Sequence, residues 1–99
     1  MKLSELIDLA VAAKGSRRVV ADGLQQDPQR LTDWKAGRRK PDANEIAYLA
    51  SCAGLPVLET VAQVEAQLDS RYAPLWTEAL KNLRAMTEQA AGKGLAAIQ

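Results

Sequence analysis

The sequence contains no histidine and a single cysteine, Cys52. The lack of histidine excludes His-dependent catalytic triads and histidine-ligated metal sites. One cysteine can form neither a disulfide within the chain nor a cysteine-cluster zinc site. No apolar run approaches the ~20 residues of a membrane-spanning helix, and the N-terminus lacks a signal-peptide pattern. We therefore expect a cytoplasmic protein that needs no metal ion and no cofactor and does not associate with a membrane.

The 99 residues are enough for one small domain, and 47% of them are hydrophobic against 25% that are charged. This composition is typical of a folded globular protein rather than a disordered one. The net charge of +1 conceals an uneven distribution. Residues 14–40 hold eight basic and three acidic side chains, for a net charge of +5, whereas residues 41–99 have a net charge of −3. The basic block suggests a polyanionic partner, although from charge alone a solvated surface explains it equally well.

The spacing of apolar residues predicts helices throughout and no strand, so we expect an all-α fold. Helix ends are predicted from local signals: glycines at 15, 37 and 54, Ser16 and Asp27 as N-caps, and an Asp42–Glu45 capping box. The predicted inward-facing side chains of the first five helices are Leu3, Leu6, Ile7, Ala10, Val11, Val20, Ala21, Leu24, Leu31, Trp34, Ile46, Leu49, Ala50, Ala53, Val57, Leu58, Val61, Val64 and Leu68. Cys52 falls on the fourth helix and is expected to be buried and inert.

Two short helices joined by a tight turn and followed by a basic segment are typical of a helix-turn-helix DNA reader. Residues 16–41, SRRVVADGLQQDPQRLTDWKAGRRKP, resemble without gaps the motif of the phage repressor and Cro-like family, also called the xenobiotic-response-element family. The matching residues are Val20, Ala21, Leu24, Leu31, Trp34, Gly37 and Pro41, followed by Leu49, Ala50 and Gly54. The resemblance covers about residues 3–61. It implies a five-helix lambda-repressor-like DNA-binding domain over residues 1–70. The remaining residues, 71–99, are expected to form an additional C-terminal helix and a flexible tail.

The chain departs from the family pattern at the turn. Gln25 stands where the family usually has glycine, so that either Gln25 takes a positive φ angle or the turn is reshaped. Asp27 and Pro28 stand where the family often has serine or threonine at the start of the recognition helix. These residues still cap the helix well, but they place a carboxylate near the DNA.

The resemblance also implies roles for individual residues, with a recognition helix over about residues 28–36. The residues implied to read bases are Pro28, Gln29, Thr32 and Asp33. The residues implied to bind phosphate are Ser16, Arg17, Arg30, Arg38, Arg39 and Lys40. Gln29 suits adenine, Thr32 suits a base edge or a thymine methyl, and Asp33 either accepts from cytosine N4 or repels phosphate. Outside the motif, an exposed polar helix face and a basic run would more often be plain solvated surface, and Trp34 is expected in the core.

A sixth helix is predicted from about residue 74 to the glycines at 92 and 94. Its apolar stripe comprises Leu75, Trp76, Ala79, Leu80 and Leu83. This stripe either packs back on the core or pairs with a second protomer, and we favour a homodimer formed through the fifth and sixth helices. Helix-turn-helix proteins commonly bind as dimers to half-sites about 34 Å apart.

No catalytic constellation is present among the carboxylates, so we do not expect an enzyme. The predicted function is that of a sequence-specific regulator of transcription of phage or prophage type, a repressor that binds double-stranded operator DNA as a dimer. Two alternatives remain open. The chain could be the antitoxin of a toxin–antitoxin pair, with its C-terminal helix holding the toxin. It could also be a protein-interaction module on a helix-turn-helix scaffold, with the acidic segment of residues 42–78 as the partner surface.

Overall fold

The fold, seen in a computed structural model, is described for residues 1–68 and 70–98, with the backbone alone described from residue 89 onward. These residues form six α-helices and no β-strand, which confirms the expected all-α class. The helices are α1 Leu3–Lys14, α2 Arg17–Gly23, α3 Gln29–Ala36, α4 Ala43–Cys52, α5 Val57–Gln67 and α6 Ala73–Ile98.

The helix boundaries follow the local signals in the sequence. The Ser16 hydroxyl accepts a hydrogen bond from the Val19 N–H at 3.2 Å and so caps α2. The predicted capping box opens α4: the Asp42 carboxylate accepts from the Glu45 N–H at 2.7 Å, and the Glu45 carboxylate accepts from the Asp42 N–H at 2.9 Å. Gly37 ends α3 in the left-handed conformation, with φ of 78°, which a side chain would disfavour.

The core lies between α1 and the helices around it. α1 contacts α2, α3 and α4, while α5 packs on α4 and α6 packs on α5. The buried cluster consists of Leu6, Ile7, Ala10, Val20, Leu31, Trp34, Ile46, Leu49, Ala50, Cys52, Val61 and Val64. Burial of each large aliphatic side chain contributes about 1.5–3 kcal/mol. Trp34 and Cys52 are both buried, as predicted.

The predicted apolar stripe of the fifth helix is wrong at its start. Val57 is 41% exposed and Leu58 is 64% exposed. Both lie in the first turn of α5, and the core begins one turn later, at Thr60 and Val61. Helical periodicity identifies the face of a helix that is apolar, but it does not say how far along the helix its neighbours extend.

The predicted end of the sixth helix is also wrong, because α6 runs past both glycines to Ile98. A glycine inside a helix costs about 1 kcal/mol relative to alanine, which does not by itself end a helix. The flanking sequence is rich in alanine, the strongest helix former, at positions 90, 91, 96 and 97. The helix therefore occupies the segment that was expected to be a tail. The expected boundary at residue 70 falls between α5 and α6.

Candidate nucleic-acid interface

The turn between α2 and α3 sets the position of α3. Gln25 takes the left-handed conformation, with φ of 56°, which is the first of the two outcomes that the sequence allowed. The Gln26 N–H donates to the Ala21 carbonyl at 3.0 Å and ties the turn to α2. The Asp27 carboxylate then accepts from the Gln29 N–H at 2.8 Å, so Asp27 caps α3 as predicted. The turn is therefore bonded to the helix on each side of it.

α3 has a buried face and a polar face. Leu31 and Trp34 are buried against the core. The predicted base-reading residues lie on the remaining surface: Gln29 is exposed, while Pro28, Thr32 and Asp33 are partly exposed. The Asp33 side chain is only 19% exposed, because other side chains cover it.

Arg17 joins the start of α2 to the polar face of α3. Its Nη2 donates to the Pro28 carbonyl at 3.1 Å and to the Thr32 hydroxyl. A hydroxyl that accepts a hydrogen bond keeps its own O–H to donate, so Thr32 still presents a donor and a methyl group. The Ser16 hydroxyl is occupied as the cap of α2. Two of the predicted phosphate-binding side chains, Ser16 and Arg17, are thus engaged within the protein.

Asp33 is the centre of a second cluster. Its Oδ1 accepts from Gln29 Nε2 at 3.3 Å and from Arg38 Nε at 3.1 Å, and its Oδ2 lies 3.7 Å from Arg39 Nε. The left-handed turn at Gly37 also directs the N–H groups of Arg38 and Arg39 to the Asp33 carbonyl, at 2.9 and 3.4 Å. Partial desolvation acts to raise the pKa of the Asp33 carboxyl. The hydrogen bonds from Arg38 and Gln29 and the charges of the two arginines outweigh that effect and lower the pKa below its usual value.

An open cleft of about 490 Å³ lies between the start of α2 and the start of α3. Its lining residues are Arg17, Arg18, Asp27, Pro28, Gln29 and Thr32. Arg18 is exposed in this cleft and was not among the predicted site residues. Its position directly after Arg17, in the first turn of α2, was the available signal.

Lys40 and Arg30 complete the set of predicted phosphate-binding residues. Lys40 is exposed, two residues after Arg38. Arg30 is partly buried, and its side chain forms no hydrogen bond or ion pair with the described residues. Lys35, in the last turn of α3, pairs with Asp8 of α1 at 2.7 Å. The structure therefore groups Arg17, Arg38 and Arg39 around the polar face of α3 and leaves Arg30 apart from them.

The predicted dimerisation residues on α6 are divided between two environments. Trp76 packs against the core, so α6 does fold back on its own domain. Leu75 is 64% exposed, Ala79 is exposed, and Leu80 and Leu83 are partly buried. An almost wholly apolar groove of about 280 Å³ separates α5 from α6. It is lined by Leu58, Ala62, Trp76, Ala79, Asn82, Leu83 and Met86.

The acidic side chains of residues 42–78 that the structure describes lie in different surroundings. Asp42 and Glu45 form the capping box of α4, Glu59 lies 3.9 Å from Arg84 of α6, and Glu78 is exposed on α6. Burial, and then the nearby Asp42 charge, raise the pKa of Glu65. Asp69 lies outside the described residues.

Comparison of the chain with protein families, curated proteins and solved structures finds no match. Over the ranges 1–68 and 70–98, none of the helices combines the length and apolar character needed to cross a bilayer. The geometry of the polar face of α3 is therefore the main indication of what the protein does.

Proposed function

We propose that this chain is a sequence-specific DNA-binding regulator of transcription, a repressor of phage or prophage type that uses α2 and α3 as a helix-turn-helix. One observation carries the proposal: the polar face of α3 is flanked by arginines on both sides. Arg17 contacts Thr32, and Arg38 and Arg39 contact Asp33, which also contacts Gln29. DNA readers need this arrangement, in which side chains directed at base edges lie between cations directed at phosphates.

The dimensions of α3 support the same function. Its eight residues span about 12 Å, and a helix with its side chains is about 10–12 Å across. The major groove of DNA is about 12 Å wide and admits one such helix. Gln29 and Thr32 are the base readers in this proposal, with Pro28 at the tip of the helix. Arg38, Arg39 and Lys40 bind the DNA phosphates on one side of the major groove, and Arg17 and Arg18 bind the phosphates on the other side.

The test is a fluorescence-anisotropy titration of the protein against genomic DNA fragments, including its own promoter region, at two salt concentrations. We expect one fragment to bind far more tightly than the others. The logarithm of the association constant should fall with the logarithm of salt by about 0.9 for each phosphate neutralised. Uniformly weak binding, or none at low salt, would contradict the proposal and favour a protein partner, such as a toxin.

A matched pair of variants sharpens this test. Arg39→Ala should weaken binding to every fragment and reduce the salt slope by about 1, because a phosphate contact carries no sequence information. Arg71→Ala removes the same charge from the connection between α5 and α6, where the guanidinium lies 4.9 Å from the centre of the Tyr72 ring. It should change binding little, and equal losses in both variants would show that net charge alone is measured.

The proposed regulator binds its operator as a homodimer through α5 and α6. α6, with 26 residues, is about 39 Å long, whereas α5, with 11 residues, is about 17 Å long. α5 alone is therefore too short to cover α6. Leu58 and Met86 line the apolar groove and are exposed, and Leu75 is exposed one residue before Trp76 of the same groove. A second protomer would bury these three side chains.

Sedimentation equilibrium tests the dimer. We expect a concentration-dependent dimer in the wild type and a monomer in Leu75→Lys, because a charge at a buried contact is costly. Thr77→Lys adds the same charge to an exposed position on a different face of α6 and should leave the dimer intact. A wild type that stays monomeric at high concentration overturns this part of the proposal.

A further inference from the structure

The side chain of Gln29 is held by one specific partner, the Asp33 carboxylate one helical turn later. Gln29 Nε2 lies 3.3 Å from Asp33 Oδ1. An ionised carboxylate only accepts hydrogen bonds, so it must face the amide nitrogen of Gln29 and not the amide oxygen. Turning the amide over would place Oε1 against the carboxylate and lose this bond.

The orientation of the carboxylate is itself fixed. Arg38 donates to the same Oδ1 from Nε at 3.1 Å and also approaches it with Nη2 at 3.0 Å, and Arg39 lies beside Oδ2. Charge-assisted bonds of this kind are stronger than neutral ones and geometrically specific. Asp33 is therefore a rigid acceptor next to a long side chain that would otherwise sample many rotamers.

We infer that Asp33 is a positioning residue that makes Gln29 select adenine over guanine. This inference rests on the proposed function. With one N–H bound to Asp33, the Gln29 amide has one N–H and its Oε1 left for a base. Adenine presents an acceptor at N7 and a donor at N6, which match that pair. Guanine presents two acceptors, N7 and O6. One of them would face the Gln29 amide oxygen, which is also an acceptor, so no hydrogen bond could form there.

Asp33→Asn removes the constraint while keeping the shape of the side chain. An asparagine amide both donates and accepts, so either orientation of the Gln29 amide is satisfied. In the turned orientation both N–H groups of Gln29 face the base, and guanine is accepted. The variant should also bind all DNA more tightly, because no carboxylate competes with phosphate for Arg38 and Arg39.

The experiment selects binding sites from a randomised DNA library with four proteins: wild type, Gln29→Ala, Asp33→Asn and Asp22→Asn. Gln29→Ala identifies the position that Gln29 reads, because preference is lost there. At that position Asp33→Asn should lower the preference for adenine over guanine by about tenfold, a typical value for one base contact. Asp22 is exposed on α2, outside this cluster, so Asp22→Asn removes an equal charge and should keep the wild-type preference.

The outcomes separate the inference from the function on which it rests. If the wild type selects no site, the proposed function fails. If the wild type selects a site and Asp33→Asn keeps its preference for adenine at the Gln29 position, the inference is overturned while the function stands. The inference is also overturned if Gln29→Ala keeps every base preference of the wild type.

A second measurement uses the wild-type protein alone, without DNA, so its result does not depend on whether a variant folds. In an NMR titration of the free wild type, the side-chain amide resonances of Gln29 should shift with the same midpoint as the Asp33 carboxyl. A Gln29 amide that is insensitive to the protonation of Asp33 contradicts the inference.

Discussion

The hydroxyl oxygen of Tyr48 lies 1.5 Å from the position that a Cβ atom on Gly23 would take. The ring atoms Cζ and Cε1 of Tyr48 follow at 2.5 and 3.2 Å. Gly23 is the last residue of α2 and does not have a positive φ angle. Glycine is needed here for the close approach of a side chain from α4, and not for an unusual backbone conformation.

Gly23→Ala should lower the free energy of unfolding by about 1 kcal/mol. Overpacking costs about 1–3 kcal/mol, and the better helix propensity of alanine returns about 1 kcal/mol. In a Tyr48→Ala background the space is open, so the same substitution should raise stability by up to about 1 kcal/mol. Denaturant unfolding of the wild type, both single variants and the double variant measures this coupling. Additive effects in the four proteins would disprove the contact.

Gln25→Gly should stabilise the protein by about 0.5–1 kcal/mol. The left-handed conformation costs a residue with a side chain about 1–2 kcal/mol, and the greater freedom of glycine in the unfolded chain offsets about 0.5–1 kcal/mol of that gain. Gln26→Gly is the control: Gln26 has no positive φ angle, so there the substitution should only destabilise. Thermal unfolding of the two variants should give shifts of opposite sign.

Arg17→Ala should lower stability by about 0.5–1.5 kcal/mol, because the guanidinium ties α2 to α3 through the Pro28 carbonyl and the Thr32 hydroxyl. Thr32→Val removes one of these two partners and should cost less. Arg18→Ala, at the neighbouring exposed position, should leave the unfolding midpoint unchanged. An equal loss in Arg17→Ala and Arg18→Ala would mean that charge, and not the bridge, is responsible.

Glu65→Gln should stabilise the protein at neutral pH by a few tenths of a kcal/mol, since the site is only partly buried. Burial and the Asp42 charge raise the pKa of Glu65 in the folded state. The penalty on the charged form is therefore complete above the raised folded pKa, shrinks as the pH falls from there, and is absent below the unfolded pKa. The advantage of the variant should shrink over the same pH range. Denaturant unfolding at a series of pH values measures this. Glu78→Gln, at an exposed position on α6, is the control and should change the free energy of unfolding less.

The features that could be predicted from the sequence are those with local causes. Ser16, Asp27 and the Asp42–Glu45 pair cap the helices that follow them, because a cap needs only its own neighbours in sequence. The exposure of Leu58 could not be predicted, because it depends on where the packing of neighbouring helices stops. The glycines at 92 and 94 do not mark the end of α6, because the helix propensity of the surrounding alanines exceeds the cost of two glycines.

In the candidate site, too, the features with local causes could be predicted and the contacts between separate elements could not. The polar face of α3 follows from Leu31 and Trp34 facing inward, which helical spacing predicts. The bond from Arg17 to Thr32 joins residues on different helices and depends on the path of the intervening turn. The enclosure of Asp33 depends on the left-handed turn at Gly37, which returns Arg38 to the residue five positions before it. Side-chain pairing of this kind is not encoded in composition or periodicity.

The basic segment of residues 38–41 is anchored at both ends. Its first N–H groups are bonded back to α3, and the residue that follows it is locked in the capping box of α4. Fixing one flexible residue costs about 1–2 kcal/mol of conformational entropy. Because the segment is already ordered in the folded protein, binding does not incur this cost again. An anion that binds this segment meets a preformed contact and not a flexible arm. Its association should therefore have a small heat-capacity change, unlike that of a segment that folds on binding.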